Sequence, residues 1–284
     1  MRKLDGSRLS GLVAAAGIAA ILVTGTPVAE AATVPFASHR AIYDLKLAES
    51  RGRRPIESVR GRILYDFSGN ACDGYALQFR QVSALDSGEG KTALSDLRAV
   101  TWEDGAAKQF RFNSQNFLNE QQVDSVDGMA ERQGDKVVVK LAKPARKTFD
   151  LPVDMVFPTE HMRRIIEEAN AGKTILNFPV YDGSETGEKV YNTLTVIGHE
   201  IAPGEKKPTD AAAGKAELDQ LKRWPVTISY FDQKSTGGEQ TPVYAISFEL
   251  YENGISRALS LDYGDFVVSG EMTELDMKET KPCH

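Results

Sequence analysis

The chain has 284 residues, 41% of them hydrophobic and 26% charged, with 34 Lys and Arg against 40 Asp and Glu for a formal charge of −6. This balance is that of a folded globular protein and excludes a disordered or collagen-like chain. The acidic surplus argues against nucleic acid as the main partner, because neutralising phosphate needs an excess of Lys and Arg.

The N-terminal end reads as an export signal. Arg2, Lys3 and Arg8 precede an apolar or small-residue run from Gly11 to Val23, followed by Pro27 and the small-x-small site Ala29-Glu30-Ala31. A basic start, an apolar centre and a small-residue site are the three parts of a secretory signal peptide. The run is too short to span a bilayer, which takes about 20 residues, and no Cys follows it to carry a lipid. Residues 1–31 are therefore expected to be removed, with cleavage between Ala31 and Ala32. Losing Arg2, Lys3, Arg8, Asp5 and Glu30 leaves the mature chain one charge more negative. No later run approaches membrane length, so the mature chain is expected to be exported and not membrane-spanning.

From residue 41 onward apolar and polar side chains alternate with period two, the signature of half-buried strands. Ala41, Tyr43, Leu45 and Leu47 oppose Ile42, Asp44 and Lys46, and Tyr75, Leu77 and Phe79 repeat the idea. Strands are expected over 41–47, 59–67, 75–82, 95–103, 107–118, 121–131 and 137–141, then 173–181 and 188–202. Four more follow at 225–232, 242–251, 255–263 and 265–277. Turn signals such as Asp104-Gly105, Asp127-Gly128, Asp182-Gly183, Gly237-Gly238 and Asn253-Gly254 separate them. The expected fold is mainly β: a strongly curved antiparallel sheet of about 12–13 strands, a β-spiral or open barrel.

One segment carries the helical period. Pro158-Thr159-Glu160 opens it with Thr159 as the expected N-cap, Met162, Ile165, Ile166 and Ala169 fall on one face, and Gly172 ends it. A helix this short needs something to pack on, and the concave side of a curved sheet is the natural place. The segment 203–223 holds two prolines and many charges. It reads as an exposed loop with a short helical turn at 215–222, within a single domain over 32–284.

The two cysteines, Cys72 and Cys283, can make one disulfide and little else. Exported chains reside where thiols oxidise, so a pair defaults to a bridge. It would close a loop of roughly 210 residues, which the chain-entropy account values at about 5 kcal/mol. Metal binding wants Cys and His at short spacing, and a redox catalyst wants Cys-x-x-Cys; neither pattern is present.

Catalytic patterns do not stand out. His39, His161, His199 and His284 lie far from one another, and His199-Glu200 lacks the second His that a zinc-protease helix needs, since Pro203 occupies that position. His161, in the first turn of the helix, is read as a structural group rather than an acid or base. Asp66, Asp73, Glu103 and Asp104 could be drawn as the paired carboxylates of an enzyme acting on an envelope glycan or peptidoglycan. Chance proximity among 40 acidic residues is the simpler explanation. Arg51-Gly52-Arg53-Arg54 is a basic turn, read as solvated rather than as a lipid-headgroup site. No cofactor and no metal are expected. A sheet that curls without closing leaves an apolar groove suited to acyl chains or a partner peptide; an interior filled by its own side chains is the equal alternative.

Several segments carry a resemblance: Pro35-Phe36-Ala37-Ser38-His39-Arg40-Ala41 at the mature start, Phe157-Pro158-Thr159-Glu160-His161, Tyr181-Asp182-Gly183, Trp224-Pro225-Val226, and Glu249-Leu250-Tyr251-Glu252-Asn253-Gly254. In this order, with the distant Cys72 and Cys283, the chain resembles the EipB-like family of alphaproteobacterial periplasmic cell-envelope integrity proteins. The resemblance implies a spiral-like curved sheet similar to that of the LolA and LolB lipoprotein carriers, with a disulfide joining an early loop to the C-terminus. It implies a role in envelope maintenance without established catalysis; the leading expectation is a non-enzymatic protein that binds a lipid, lipoprotein or envelope protein. It carries no catalytic residue.

Overall fold

The alternating segments pair into one antiparallel sheet. The computed structural model describes residues 34–52, 56–88, 90, 92–233 and 241–283. The first wing of the sheet holds β1 (His39–Ser50), β2 (Ser58–Asn70), β3 (Gly74–Asp86), β4 (Thr92–Glu103), β5 (Gln109–Leu118), β6 (Gln121–Gln133), β7 (Lys136–Lys143) and β8 (Lys147–Pro152). Helix α1 (Pro158–Asn170) follows. The second wing holds β9 (Ile175–Val180), β10 (Tyr191–Ile197), β11 (Arg223–Asp232), β12 (Tyr244–Tyr251), β13 (Ser256–Asp262) and β14 (Phe266–Met277).

The 14 strands lie in the order β8-β7-β6-β5-β4-β3-β2-β1-β14-β13-β12-β11-β10-β9. Each wing is a meander, and the wings join where β1 pairs with β14, from His39 opposite Met277 to Ser50 opposite Phe266. The two edges, β8 and β9, therefore come from the middle of the chain, and they do not pair with each other. A parallel bridge from the segment after β8 reaches the far edge: Val156 N–H donates to the Pro179 carbonyl at 2.8 Å, and Tyr181 N–H to the Val156 carbonyl at 3.0 Å.

Thirteen of these strands fall on the expected segments, and β8 is the addition that takes the count to 14. Its sequence, KTFDLP, is mostly exposed and ends on Pro152, so it has neither a buried face nor clean alternation to announce it. Polar, Lys-bearing and proline-ended sequence is what an edge strand carries. The expected strand 188–202 shortens to Tyr191–Ile197. The signal segment 1–31 with Ala31 and Ala32, Arg53 and Arg54, the Gly237-Gly238 turn and His284 lie outside the described residues.

Thr159 is not the N-cap of α1. That position belongs to Phe157, and Pro158 starts the helix, where a fixed φ and a missing N–H cost nothing. The acceptors come from elsewhere: Glu103 Oε2 takes the Thr159 N–H and Glu103 Oε1 the Glu160 N–H, both at 2.8 Å. The apolar face is the expected one, with Ile165, Ile166 and Ala169 buried. After Ala171, Gly172 takes φ +77° and the Lys173 N–H closes on the Glu168 carbonyl at 2.9 Å, satisfying a carbonyl the last turn leaves open.

Two apolar clusters fill the interior. The larger gathers side chains of β1, β2, α1 and β9 to β14, including Tyr43, Ile165, Leu250 and Met272. The smaller joins β5, β6 and β7 to the flanks of α1 and β9 through Phe110, Phe112, Val139, Phe157 and Tyr181. The segment 203–223 is exposed along much of its length but pinned where Asp210, Ala213, Leu218 and, at its end, Arg223 are buried. A short helix α2 (Ala216–Asp219) carries Leu218 inward. Arg257 holds Asp210 through Nε at 3.0 Å, and Arg257 and Arg223 share Glu249 Oε2 at 2.5 and 2.6 Å.

Candidate functional site

Beneath α1 lies a cavity of about 240 Å³. Alternation in β2 brings Tyr65 and Phe67 to its wall, and alternation in β11 brings Ile228 and Tyr230. Leu77 of β3 and Thr101 of β4 extend that wall, and α1 supplies Pro158, His161 and Met162. Phe36, just before β1, stacks edge-on against Phe67 and Tyr75 at 5.8 and 5.4 Å, so the start of the described chain is itself part of the wall. A second cavity of about 390 Å³ shares Leu77, Thr101, Pro158 and Asp182 with the first, so the two lie side by side. Its farther wall holds Phe79 and Leu97, with Asn113, Ser114, Asn116 and Asp124 beyond them.

The polar groups of the first cavity are few and starved of water. His161 is 3% exposed, and its Nε2 has no hydrogen-bond partner. Burial, helped by the charge of Arg164, lowers its pKa to about 4, so the imidazole is neutral at physiological pH. His39 is likewise pushed down by burial, with Nδ1 held by the Ala37 carbonyl at 2.8 Å. Burial raises the Tyr65 phenol to about 12 and pushes the Tyr230 phenol higher still. Asp182 is raised chiefly by burial, against the Ser184 N–H that donates to Oδ1 at 2.9 Å.

Two ionisable side chains, buried Glu103 and half-buried Arg132, set the position of α1. Glu103, at the end of β4, is 3% exposed and accepts the two open N–H groups of the first helical turn. Burial outweighs those bonds and lifts its carboxyl to about 7. Arg132 on β6 donates from Nε to the Ala107 carbonyl at 2.8 Å. Its other nitrogens reach the Val153 carbonyl, the Met155 carbonyl at 2.6 Å and Glu160 Oε2 at 2.7 Å. Its guanidinium also lies 4.9 Å from the Phe157 ring centre. The connection from β8 to α1 is thus tied to the opposite part of the same wing.

Of the residues singled out by sequence, the structure gathers few. Cys72 and Cys283 are bonded to each other, with Cα atoms 5.6 Å apart and a separation of 211 positions in the chain. Asn70 organises that corner: its Oδ1 accepts the Cys72 and Asp73 N–H groups at 2.8 Å, and its Nδ2 donates to the Lys281 carbonyl at 3.0 Å. The four carboxylates drawn as a catalytic set go to separate tasks. Asp66 pairs with Lys278, Asp73 accepts from Asn70 Nδ2, Asp104 takes the Lys108 N–H, and Glu103 caps α1. His161 neither caps nor bonds to a strand through Nε2, and the residue lines the cavity. His199 is exposed beyond β10, and Arg51 pairs with Glu49 and Asp262. Among the described residues no group of three His, Cys, Asp or Glu could hold a metal ion, and no helix is long and apolar enough to cross a membrane.

Tyr65, Asp182 and Tyr230 are cavity residues that the sequence did not mark as functional, although the alternation of Tyr65 with Phe67 places both on one face. Arg132, Asp210 and Arg257 gave no local signal, because their partners lie far away in the chain.

Comparison with known proteins places this arrangement. The model of the EipB-like family matches residues 30–279. The cell envelope integrity protein EipB of Brucella abortus (strain 2308) is 39% identical over 250 residues, covering 88% of this chain and 87% of that protein. A crystal structure from Brucella abortus, described as a β-barrel-like protein of the domain of unknown function DUF1849, superposes with a TM-score of 0.79 at 37% identity, covering 87% of this chain and all of that one. The chain belongs to the EipB-like family.

Proposed function

We propose that this protein is a non-enzymatic periplasmic component that maintains the cell envelope, and that it works by holding the acyl portion of a lipid or lipoprotein inside a curled, spiral-like sheet. The observation that carries this reading is the apolar cavity under α1, walled by Phe67, Leu77, Ile228 and Met162, with the second cavity beside it. The second cavity, at about 390 Å³, falls in the size range of small-ligand sites, which are mostly apolar with a few placed polar groups. Curling is supported by the wall itself, since β2, β4, β9 and β11, well separated in the strand order, contribute to one cavity. The envelope role rests on family membership, and the periplasmic location on the export signal over residues 1–31. The carboxylates Asp66, Asp73, Glu103 and Asp104 serve as structural partners, which leaves an enzymatic reading without a catalytic set.

The test is ligand uptake. Protein purified from the periplasm is extracted and analysed by mass spectrometry, and the delipidated protein is titrated with a fluorescent acyl probe. Acyl species should be recovered and the probe should bind saturably. Replacing Ile228 by Trp, which fills the cavity, should weaken probe binding at least tenfold while the protein stays folded. Absence of both co-purified acyl species and saturable binding would overturn the reading.

A further inference from the structure

We infer that the interior space selects acyl ligands with an uncharged, hydroxyl-bearing head, such as an acylglycerol, and rejects free carboxylates of the same chain length. The inference rests on the acyl-binding reading above and names its substrate class.

Three observations point the same way. The first is His161: its side chain lines the cavity, and its Nε2 is buried with no partner, a condition that costs free energy unless something supplies a hydrogen bond. As a neutral ring it can donate or accept once, which suits a hydroxyl or an ester carbonyl. The second is the absence of compensating charge. Among the described residues no Lys or Arg lines either cavity. Arg164, whose charge reaches His161, is already paired with Glu160 Oε1 at 2.6 Å, and Lys278, near His39, is paired with Asp66. A carboxylate brought into this space would lose its hydration without gaining a cation. The third is the sign of the charges present. Asp182 lines both cavities and Asp124 lines the second, where Glu185 is already paired with Lys189 at 2.7 Å. Like charges there repel an anion, whereas carboxylates beside Asn113, Ser114 and Asn116 offer acceptors and donors to hydroxyls. The chain would lie against Phe67, Leu77 and Ile228, with the ester or hydroxyl near His161 and the remaining head toward Asp124.

The experiment compares 1-monolauroylglycerol with laurate, both below their aggregation concentrations, by displacement of a bound fluorescent acyl probe at neutral pH. The glycerol ester should bind at least tenfold more tightly. His161→Phe, which keeps the ring and removes the hydrogen bond, should weaken the ester about tenfold and laurate much less, so that the ratio collapses. Asp182→Asn, which keeps the shape and removes the charge, should tighten laurate several-fold; melting temperatures of both variants verify the fold. Laurate binding as tightly as the ester, or a ratio unmoved by His161→Phe, overturns the selection. Neither lipid displacing a probe that itself binds saturably also overturns it, with the acyl reading left standing. Failure of the probe to bind overturns the acyl reading itself.

Discussion

Replacing Cys72 and Cys283 together by Ser isolates the effect of the bridge, because the chain has no other cysteine to mispair. The bridge joins residues 211 apart, and in the chain-entropy account a loop of that length restricts the unfolded chain by about 5 kcal/mol. The folded state loses little by comparison. Residues 278–283 are exposed, and they are held by the Lys278 N–H donating to the Ser38 carbonyl at 2.8 Å, the Lys278 ammonium paired with Asp66, the Ser38 N–H donating to the Thr280 hydroxyl at 3.3 Å, and Asn70 Nδ2 donating to the Lys281 carbonyl at 3.0 Å. The stabilisation therefore resides mostly in the unfolded ensemble, and residual structure there makes the figure an upper one. For a domain of this size it corresponds to a fall in melting temperature of roughly 10–20 °C. The assay is thermal unfolding followed by circular dichroism, with and without reductant. Reduced wild type and the double-Ser variant should melt together, well below oxidised wild type. Single Ser variants, kept monomeric by blocking the remaining thiol, should melt where the double variant does, since either change opens the same loop. A fall of less than about 3 °C, or Cys72→Ser costing far more than Cys283→Ser, would refute loop closure as the source and locate the effect in the hairpin between β2 and β3.

Three further outcomes follow from buried groups. Arg257→Leu leaves Asp210, 3% exposed, without its counter-charge, and should destabilise by about 3–5 kcal/mol in chemical denaturation; a loss under 1 kcal/mol contradicts the assignment. Glu103 has its carboxyl raised from 4.5 to about 7, so the folded state holds a proton the unfolded state releases. Its contribution is full below the unfolded value and is lost as pH rises through about 7. Wild type should therefore lose more stability between pH 5 and pH 8 than Glu103→Gln does, and parallel pH profiles would show the carboxyl to be ordinary. Gly105→Ala places a Cβ 1.8 Å from the Ala71 carbonyl oxygen, forcing the Cys72 turn to move; a cost of about 1–3 kcal/mol is expected, and a neutral melting temperature would show that this turn yields freely.

What could be read along the chain was what repeats locally. Period two located thirteen strands because each has a face that is buried, and it failed at β8, whose residues are mostly exposed. The apolar face of α1 was legible for the same reason, through Ile165, Ile166 and Ala169. Its cap was not, because the acceptor is Glu103, 56 residues before Thr159 and on another element. A propensity for Thr at N-caps was overridden by a carboxylate that serves two N–H groups at once. The cavity shows the same limit. Tyr65, His161 and Tyr230 sit on β2, α1 and β11, and nothing in their spacing says that they meet. Asp210 looked like one charge among many in 203–223, and only its contact with Arg257 distinguishes it.

The placement of the fasteners follows from the topology. Because β1 and β14 pair at the centre, the free edges are β8 and β9, and unpaired edges invite intermolecular pairing. β8 is short and carries Lys147, paired with Glu188, while Val156 and Pro179 occupy the approach to β9. The segment between the edges contains α1, so whatever secures the edges also sets the roof of the cavity. That roof is held from the first wing by Glu103 and Arg132, and from the second by Phe178 of β9, which meets His161 at 5.7 Å. The disulfide acts elsewhere, on the hairpin of β2 and β3, and those strands supply Tyr65, Phe67 and Leu77 to the wall. Loss of the bridge should thus reach the cavity through its wall, and loss of Glu103 or Arg132 through its roof. His161 belongs to the roof, so head-group selection should be more sensitive to Arg132→Met than to the double-Ser change, whereas chain binding should suffer from both. A double-Ser protein that keeps its affinity for the acyl probe but loses the preference for the glycerol ester would reverse that assignment.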